Sequence, residues 1–163
     1  MRVGTRTELG KKYAPCGVRP TGEQHIGYEY LYLYVCLKPF TGEIFALFLP
    51  RLDKECFAIF TNERSKTLKR KTLLILDGAG AHRLEAENLL LELSKLPAYS
   101  PELNPVERFF QELRRQLKFR VFDSLDEAES YVSEALREFL SDAERVKSLT
   151  LFPYIKYAQT NSI

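Results

Sequence analysis

Two carboxylates stand where a protein would place metal ligands. Asp77 closes the apolar run Leu73-Leu-Ile-Leu76, which sets it at the tip of a buried strand, on a rigid stretch of backbone. Glu107 closes Asn104-Pro-Val-Glu107, a phrase that starts a helix, so it lies in the first turn. Two such acids can share a divalent cation, and a hard ion such as Mg²⁺ takes oxygen donors, for which Cys is unsuitable. Each acid also has a plainer reading. Asp before Gly78-Ala-Gly80 opens a turn, and Glu107, three residues after Asn104, completes a capping box by reaching back to the cap. His82 stays open between orienting a phosphate, capping a helix and simply packing.

The elements around these acids follow from pattern. Tyr28 to Leu37 is rich in Tyr, Leu and Val, and Glu43 to Leu49 in Ile, Phe and Leu; with the turn residues Lys38–Gly42 between them they predict two antiparallel strands. Both runs are almost continuously apolar, which predicts a sheet covered on both faces. Asp53–Leu68 reads as a helix, with a basic cluster running from Arg64 to Lys71, and Leu73–Leu76 as a short strand. Glu85–Leu93 reads as a short helix. Val106, Phe109, Phe110, Leu113 and Leu117 then recur at the spacing of one helix face. Another helix begins at Ser124, where Ser-x-x-Glu127 is a capping box and Ala128, Tyr131, Val132, Ala135, Leu136 and Phe139 face inward. Residues 1–27 form an extended, turn-rich opening, and residues 153–163 a tail that frays or docks on a partner. The order of elements predicts an α/β domain with a mixed sheet flanked by helices.

Composition bounds the answer. At 163 residues and 45% hydrophobic content, the chain has material for one ordinary core and too little for two comfortable domains, so residues 1–163 are expected to be a single domain. A net charge of +2 does not by itself call for nucleic acid. Cys16, Cys36 and Cys56 are odd in number and match no metal or redox spacing, which points to reduced thiols and a cytoplasmic location. No apolar stretch approaches membrane-spanning length, so no membrane partner is expected.

The phrases around the two acids resemble a known family, the DDE superfamily transposases of bacterial insertion sequences in the branch related to mariner elements. There the second catalytic acid follows a hydrophobic strand as Asp-x-Ala-x-x-His, matched by Asp77, Ala79 and His82. The third lies in a phrase close to Leu-Pro-x-Tyr-Ser-Pro-x-Leu-Asn-Pro-x-Glu, matched from Leu96 to Glu107. Weaker likeness runs from Arg2 to about Leu140 and includes Gly17-Val-Arg-Pro20 and the Thr41-Gly-Glu43 hairpin.

The resemblance implies an RNase H-like fold and DNA strand transfer dependent on Mg²⁺ or Mn²⁺. Asp77 and Glu107 would be the catalytic and metal-binding acids, and double-stranded DNA, as element ends and target, would be the partner. Arg108, Arg114, Arg115 and Lys118 share the helix that carries Glu107; they either bind backbone phosphates or are solvated charge, as is open for His82. The family's first acid closes a strand just ahead of the segment matched here by Arg2–Pro20. The expectation is therefore a catalytic domain without its first strand and first acid, inactive alone. The alternative is a non-catalytic remnant or regulatory partner of a full-length transposase. An upstream-encoded helix-turn-helix partner could supply the missing acid, and a homo-oligomer is also open. An unrelated phosphohydrolase built on the Asp77 turn is a third reading.

Overall fold

One strand is buried from both sides and organises the rest. In the computed structural model, which describes residues 1–77 and 90–160, this strand is β2 (Tyr30–Lys38), flanked by β1 (Arg2–Gly4) and β3 (Glu43–Leu49) in an antiparallel sheet of order β1-β2-β3. Side chains alternate across a strand. Leu31, Leu33, Val35 and Leu37 therefore enter one core, while Tyr32, Tyr34 and Cys36 enter the other. The continuous apolar run predicted a sheet with two covered faces, and the two cores are those faces.

The first core is closed by helices: α2 (Pro105–Leu117), α3 (Leu125–Ser141) and α4 (Ala143–Thr150). Phe109, Leu113, Ala128, Val132, Phe139 and Val146 are fully enclosed there, and the rings of Phe109 and Phe139 meet edge to face at 5.0 Å. The helix starts are capped as the sequence predicts. The Ser124 hydroxyl accepts the Glu127 N–H at 3.2 Å, and the Glu127 carboxylate accepts the Asp123 N–H at 2.8 Å, one residue ahead of the position a capping box uses.

The second core lies under α1 (Lys54–Lys66), whose Cys56, Phe57 and Phe60 pack on Tyr34, Cys36 and Leu76. Asp53 caps this helix, accepting the Cys56 N–H at 2.8 Å. Thr61, polar and buried, satisfies its hydroxyl on the carbonyls of Phe57 and Ala58, both at 3.0 Å. Arg64 is also buried, and its guanidinium meets Glu43 at 2.7 Å, so the first cation of the 64–71 cluster is a structural one. Lys66 and Lys71 pair with Glu63 and Glu92.

β4 (Thr72–Leu76) and β5 (Leu91–Lys95) form a separate parallel pair. β5 corrects one expectation. Glu85–Leu93 was expected as a helix, but Leu91–Leu93 begin this strand; the positions up to 89 lie outside the described residues. Leu and Glu favour a helix locally. The ladder to β4 and the burial of Leu91, with Leu93 packed on the second core, override that preference. Beyond α4, Pro153–Thr160 forms a further helix, α5, in a stretch with little sequence pattern.

The two connections of the first sheet are held differently. Between β1 and β2 the chain makes a long excursion, tied at its base by Thr5 N–H to Glu29 O and Thr7 N–H to His25 O, both at 3.1 Å, while residues 8–24 are exposed throughout. The β2–β3 hairpin instead turns through Gly42 at φ +71°, pressed so closely on α4 that a Cβ there would lie 2.3 Å from the Ala143 carbonyl oxygen. Glycine is required on both counts. Among the described residues no helix is long and apolar enough to cross a membrane.

The enclosed aromatic pair sets a stability test. Phe109→Ala should cost about 3–5 kcal/mol in urea denaturation, from lost burial plus the cavity left behind. Val106→Ala, at a half-buried position one turn away, should cost clearly less.

Candidate active site

Asp77 follows the last residue of β4 directly and is half-buried. The strand pairing that holds β4 also brings Glu107 round to it. Leu96 N–H donates to the Leu76 carbonyl at 2.7 Å, so the segment leading to α2 leaves from beside Asp77. That segment passes through Tyr99, in the left-handed region at φ +59° and fully exposed, and then a single 3-10 turn, Pro101–Leu103. Asn104 ends the turn and caps α2, its side-chain oxygen accepting the Val106 N–H at 3.1 Å with Pro105 at the first helical position.

This cap removes one of the two readings of Glu107. A capping box needs the Asn104 N–H, but that donor is bonded to the Pro101 carbonyl at 3.0 Å. The Glu107 carboxylate therefore does not close the box, although its backbone N–H donates to the Asn104 carbonyl at 3.1 Å.

The two acids meet in the electrostatics of one group. The Met1 ammonium donates to the Leu33 carbonyl at 2.7 Å, and Leu33 N–H donates to the Met1 carbonyl at 2.8 Å, so the β1–β2 ladder continues up to Met1. Burial lowers the pKa of that ammonium from 8.0 to about 6, and the nearby positive charge of Arg114 adds to the drop; the negative charges of Glu107 and Asp77 oppose it. Two carboxylates 30 positions apart in sequence, on a strand and a helix, thus act on one nitrogen.

The helix carrying Glu107 sorts the cations. At 100° per residue, Arg114 lies nearly in line with Glu107, on the shoulder of the apolar stripe, while Arg108 and Arg115 point directly away from that stripe. Arg114 is half-buried, with its guanidinium 6.0 Å from the centre of the Phe110 ring. Arg108 is exposed and bonded to Gln111 at 3.3 Å, and Arg115 is exposed and paired with Glu112 at 2.6 Å. Lys118 is exposed at the end of α2, beside the opening excursion, where Phe119 N–H donates to Glu8 O at 2.9 Å. The four cations of this helix therefore divide, Arg114 being half-buried beside the apolar stripe and the other three exposed. His82 lies outside the described residues. Sequence reasoning missed the Met1–Leu33 ladder, because Val3 is the single strongly apolar residue in a Gly-rich stretch.

Among the described residues no three His, Cys, Asp or Glu side chains gather as a metal cage. The donors present are carboxylate oxygens, which fit Mg²⁺ or Mn²⁺ in kind.

Comparison with known proteins agrees with this architecture. The sequence profile of the DDE superfamily endonucleases matches residues 1–129, and the chain belongs to that family. It is 30% identical over 127 residues to the uncharacterized protein y4pE/y4sA of Sinorhizobium fredii (strain NBRC 101917 / NGR234), covering 74% of this chain and 93% of that protein. Its fold is that of the Mos1 transposase structures. The Mos1 strand transfer complex superposes with a TM-score of 0.69 at 21% identity, and the paired-end complex with the left transposon end with 0.64 at 20%. A Mos1 mariner paired-end complex with Mn gives 0.64 at 16%. The chain is covered to 92%, 92% and 91% in these comparisons but spans only 48%, 49% and 51% of the Mos1 chains. The fold is RNase H-like, as the resemblance implied.

The Met1 ammonium yields a pH test. Its proton affinity is lower folded than unfolded, so the cost of burying charge is complete below pH 6 and gone above pH 8. Urea midpoints should rise from pH 6 to pH 8, by up to about 2–3 kcal/mol of stability for a shift of this size. Acetylating the amine should flatten that rise.

Proposed function

We propose that this chain is the catalytic-domain portion of a transposase whose intact form cuts and joins DNA, with Asp77 and Glu107 as ligands of Mg²⁺ or Mn²⁺. The observation that carries this reading is the Leu96–Leu76 hydrogen bond, which leads the chain from the end of β4, where Asp77 stands, through the Asn104 cap to the first turn of α2 and Glu107. Family membership and the likeness to Mos1 complexes support it. When bound as a pair, such ions supply Lewis acidity to both the attacking and the leaving oxygen of a phosphodiester.

The chain's own residues have separable tasks. Asp77, at the end of a hydrogen-bonded strand, gives a fixed carboxylate, and Glu107 approaches from the first turn of α2, free of the capping bond. Arg114, on the same shoulder of the helix, offers positive charge for a backbone phosphate next to the acids. Arg108, Arg115 and Lys118 lie further round or along the helix and would contribute long-range, salt-sensitive attraction to duplex DNA.

Two carboxylates are one short of the family's triad, and the chain alone is expected to be inactive or severely impaired. A second reading, a non-catalytic or regulatory partner of a full-length transposase, is favoured by a separate observation. β2 runs on to Lys38, whereas its pairing with β1 covers only Tyr30–Tyr32 and, through Met1, Leu33. Among the described strands, Val35–Lys38 therefore pair only with β3, and β4 only with β5. A further strand would fit there and could carry the first acid, and the second reading takes that strand from a helix-turn-helix partner.

The purified chain should show no robust Mg²⁺-dependent nicking of supercoiled plasmid. Strong nicking that disappears in Asp77→Ala would overturn the inactivity. Mn²⁺ binding, followed by electron paramagnetic resonance, should weaken in both Asp77→Asn and Glu107→Gln; unchanged binding in either would remove that acid from the site. Co-purification with an upstream-encoded partner would favour the second reading.

A further inference from the structure

The turn that delivers Glu107 is held by a helix beyond the part of the chain that the family profile matches. That profile ends at residue 129, and α5 begins at Pro153. The Tyr154 hydroxyl donates to the Leu103 carbonyl at 2.9 Å and lies 3.3 Å from that of Glu102. These are the last two residues of the 3-10 turn, directly before the Asn104 cap. The turn's own bonds use the carbonyls of Ser100 and Pro101, and the start of α2 uses that of Asn104. The carbonyls of Glu102 and Leu103 take no part in these bonds, and the phenol is their partner.

The other end of the contact is anchored. α4 packs on α2 and α3, and both Val146 and Thr150 are fully enclosed. Phe152 links α4 to α5: its N–H donates to Thr150 O at 3.0 Å, its carbonyl accepts the Ile155 N–H at 3.0 Å, and its ring lies 5.5 Å from that of Tyr154. The path α2, α4, α5, turn and back to α2 is thus a closed loop of contacts. Burial and the nearby Glu102 raise the pKa of the Tyr154 phenol, which keeps it protonated as a donor.

We propose that Tyr154 is a positioning residue for Glu107: by bonding the carbonyls of residues 102 and 103 it fixes the 3-10 turn, and through the Asn104 cap the angle at which the Glu107 carboxylate enters the site. This rests on Glu107 being a metal ligand as far as metal affinity is concerned, but the mechanical part stands on the geometry alone.

Tyr154→Phe keeps the ring and removes the donor. Amide hydrogen exchange at Leu103, Asn104, Val106 and Glu107 should speed up by roughly fivefold, the loss of one ordinary hydrogen bond. Exchange within α3 and the thermal midpoint should hardly move. Mn²⁺ affinity should fall by a similar factor, a change that a merely structural tyrosine would not produce at constant stability. Unchanged exchange at those four amides overturns the proposal, whatever the metal does. Faster exchange with unchanged Mn²⁺ affinity overturns the link to Glu107. If the wild-type chain binds no Mn²⁺, the metal-site reading fails by itself, and the exchange result still decides whether Tyr154 fixes the turn.

Discussion

The burial of β2 on both faces is the constraint from which the rest follows. Its odd-numbered residues from Leu31 to Leu37 need the helices α2, α3 and α4, and its even-numbered residues Tyr32, Tyr34 and Cys36 need α1 and the β4–β5 pair. Each set would be left exposed if its own layer were absent, and a register shift of one residue would exchange the faces. Holding both layers to one strand also brings the ends of β4 and α2 to the same edge. That edge carries Asp77, and the segment from Leu96 leads from it to Glu107.

Much of this was legible in the sequence where pattern and burial agree. β2, β3, α1, α2 and α3 are long or strongly periodic, and Asn104 and Ser124 announce helix starts that the structure caps as expected. The parts that were not legible depend on distant partners. Leu91–Lys95 is a strand because β4 lies beside it, and nothing in its own composition outweighs the helix preference of Leu and Glu. β1 is three residues among glycines, held by Leu33, Leu31 and neighbours nearly 30 positions away. α5 owes its place to a phenol reaching two backbone carbonyls some 50 residues earlier, for which no local signal exists.

The site was legible in a different sense. The phrases from Leu73 and from Leu96 single out Asp77 and Glu107 as candidates, but excluding the capping box for Glu107 needed the Asn104 N–H bonded to Pro101. The basic helix face was read as one surface, and helical geometry divides it. Arg114 stands with the acids because seven residues bring the helix almost back to the same bearing, and Arg115 is turned by the next 100° toward solvent and Glu112.

The two excursions from the first sheet differ in what they tolerate. Long surface insertions cost little chain entropy when they leave packing undisturbed. The exposed residues 13–20 meet that condition, lying beyond the contacts that Glu8 and Lys12 make with Phe119, and they are the natural place to splice in a tag or fluorophore. The hairpin at Gly42 looks equally short and superficial on paper. Its tip is wedged on the Ala143 carbonyl, so widening it would lever α4 off α2 and carry α5 with it, and a graft there would be felt along the helix that bears Glu107.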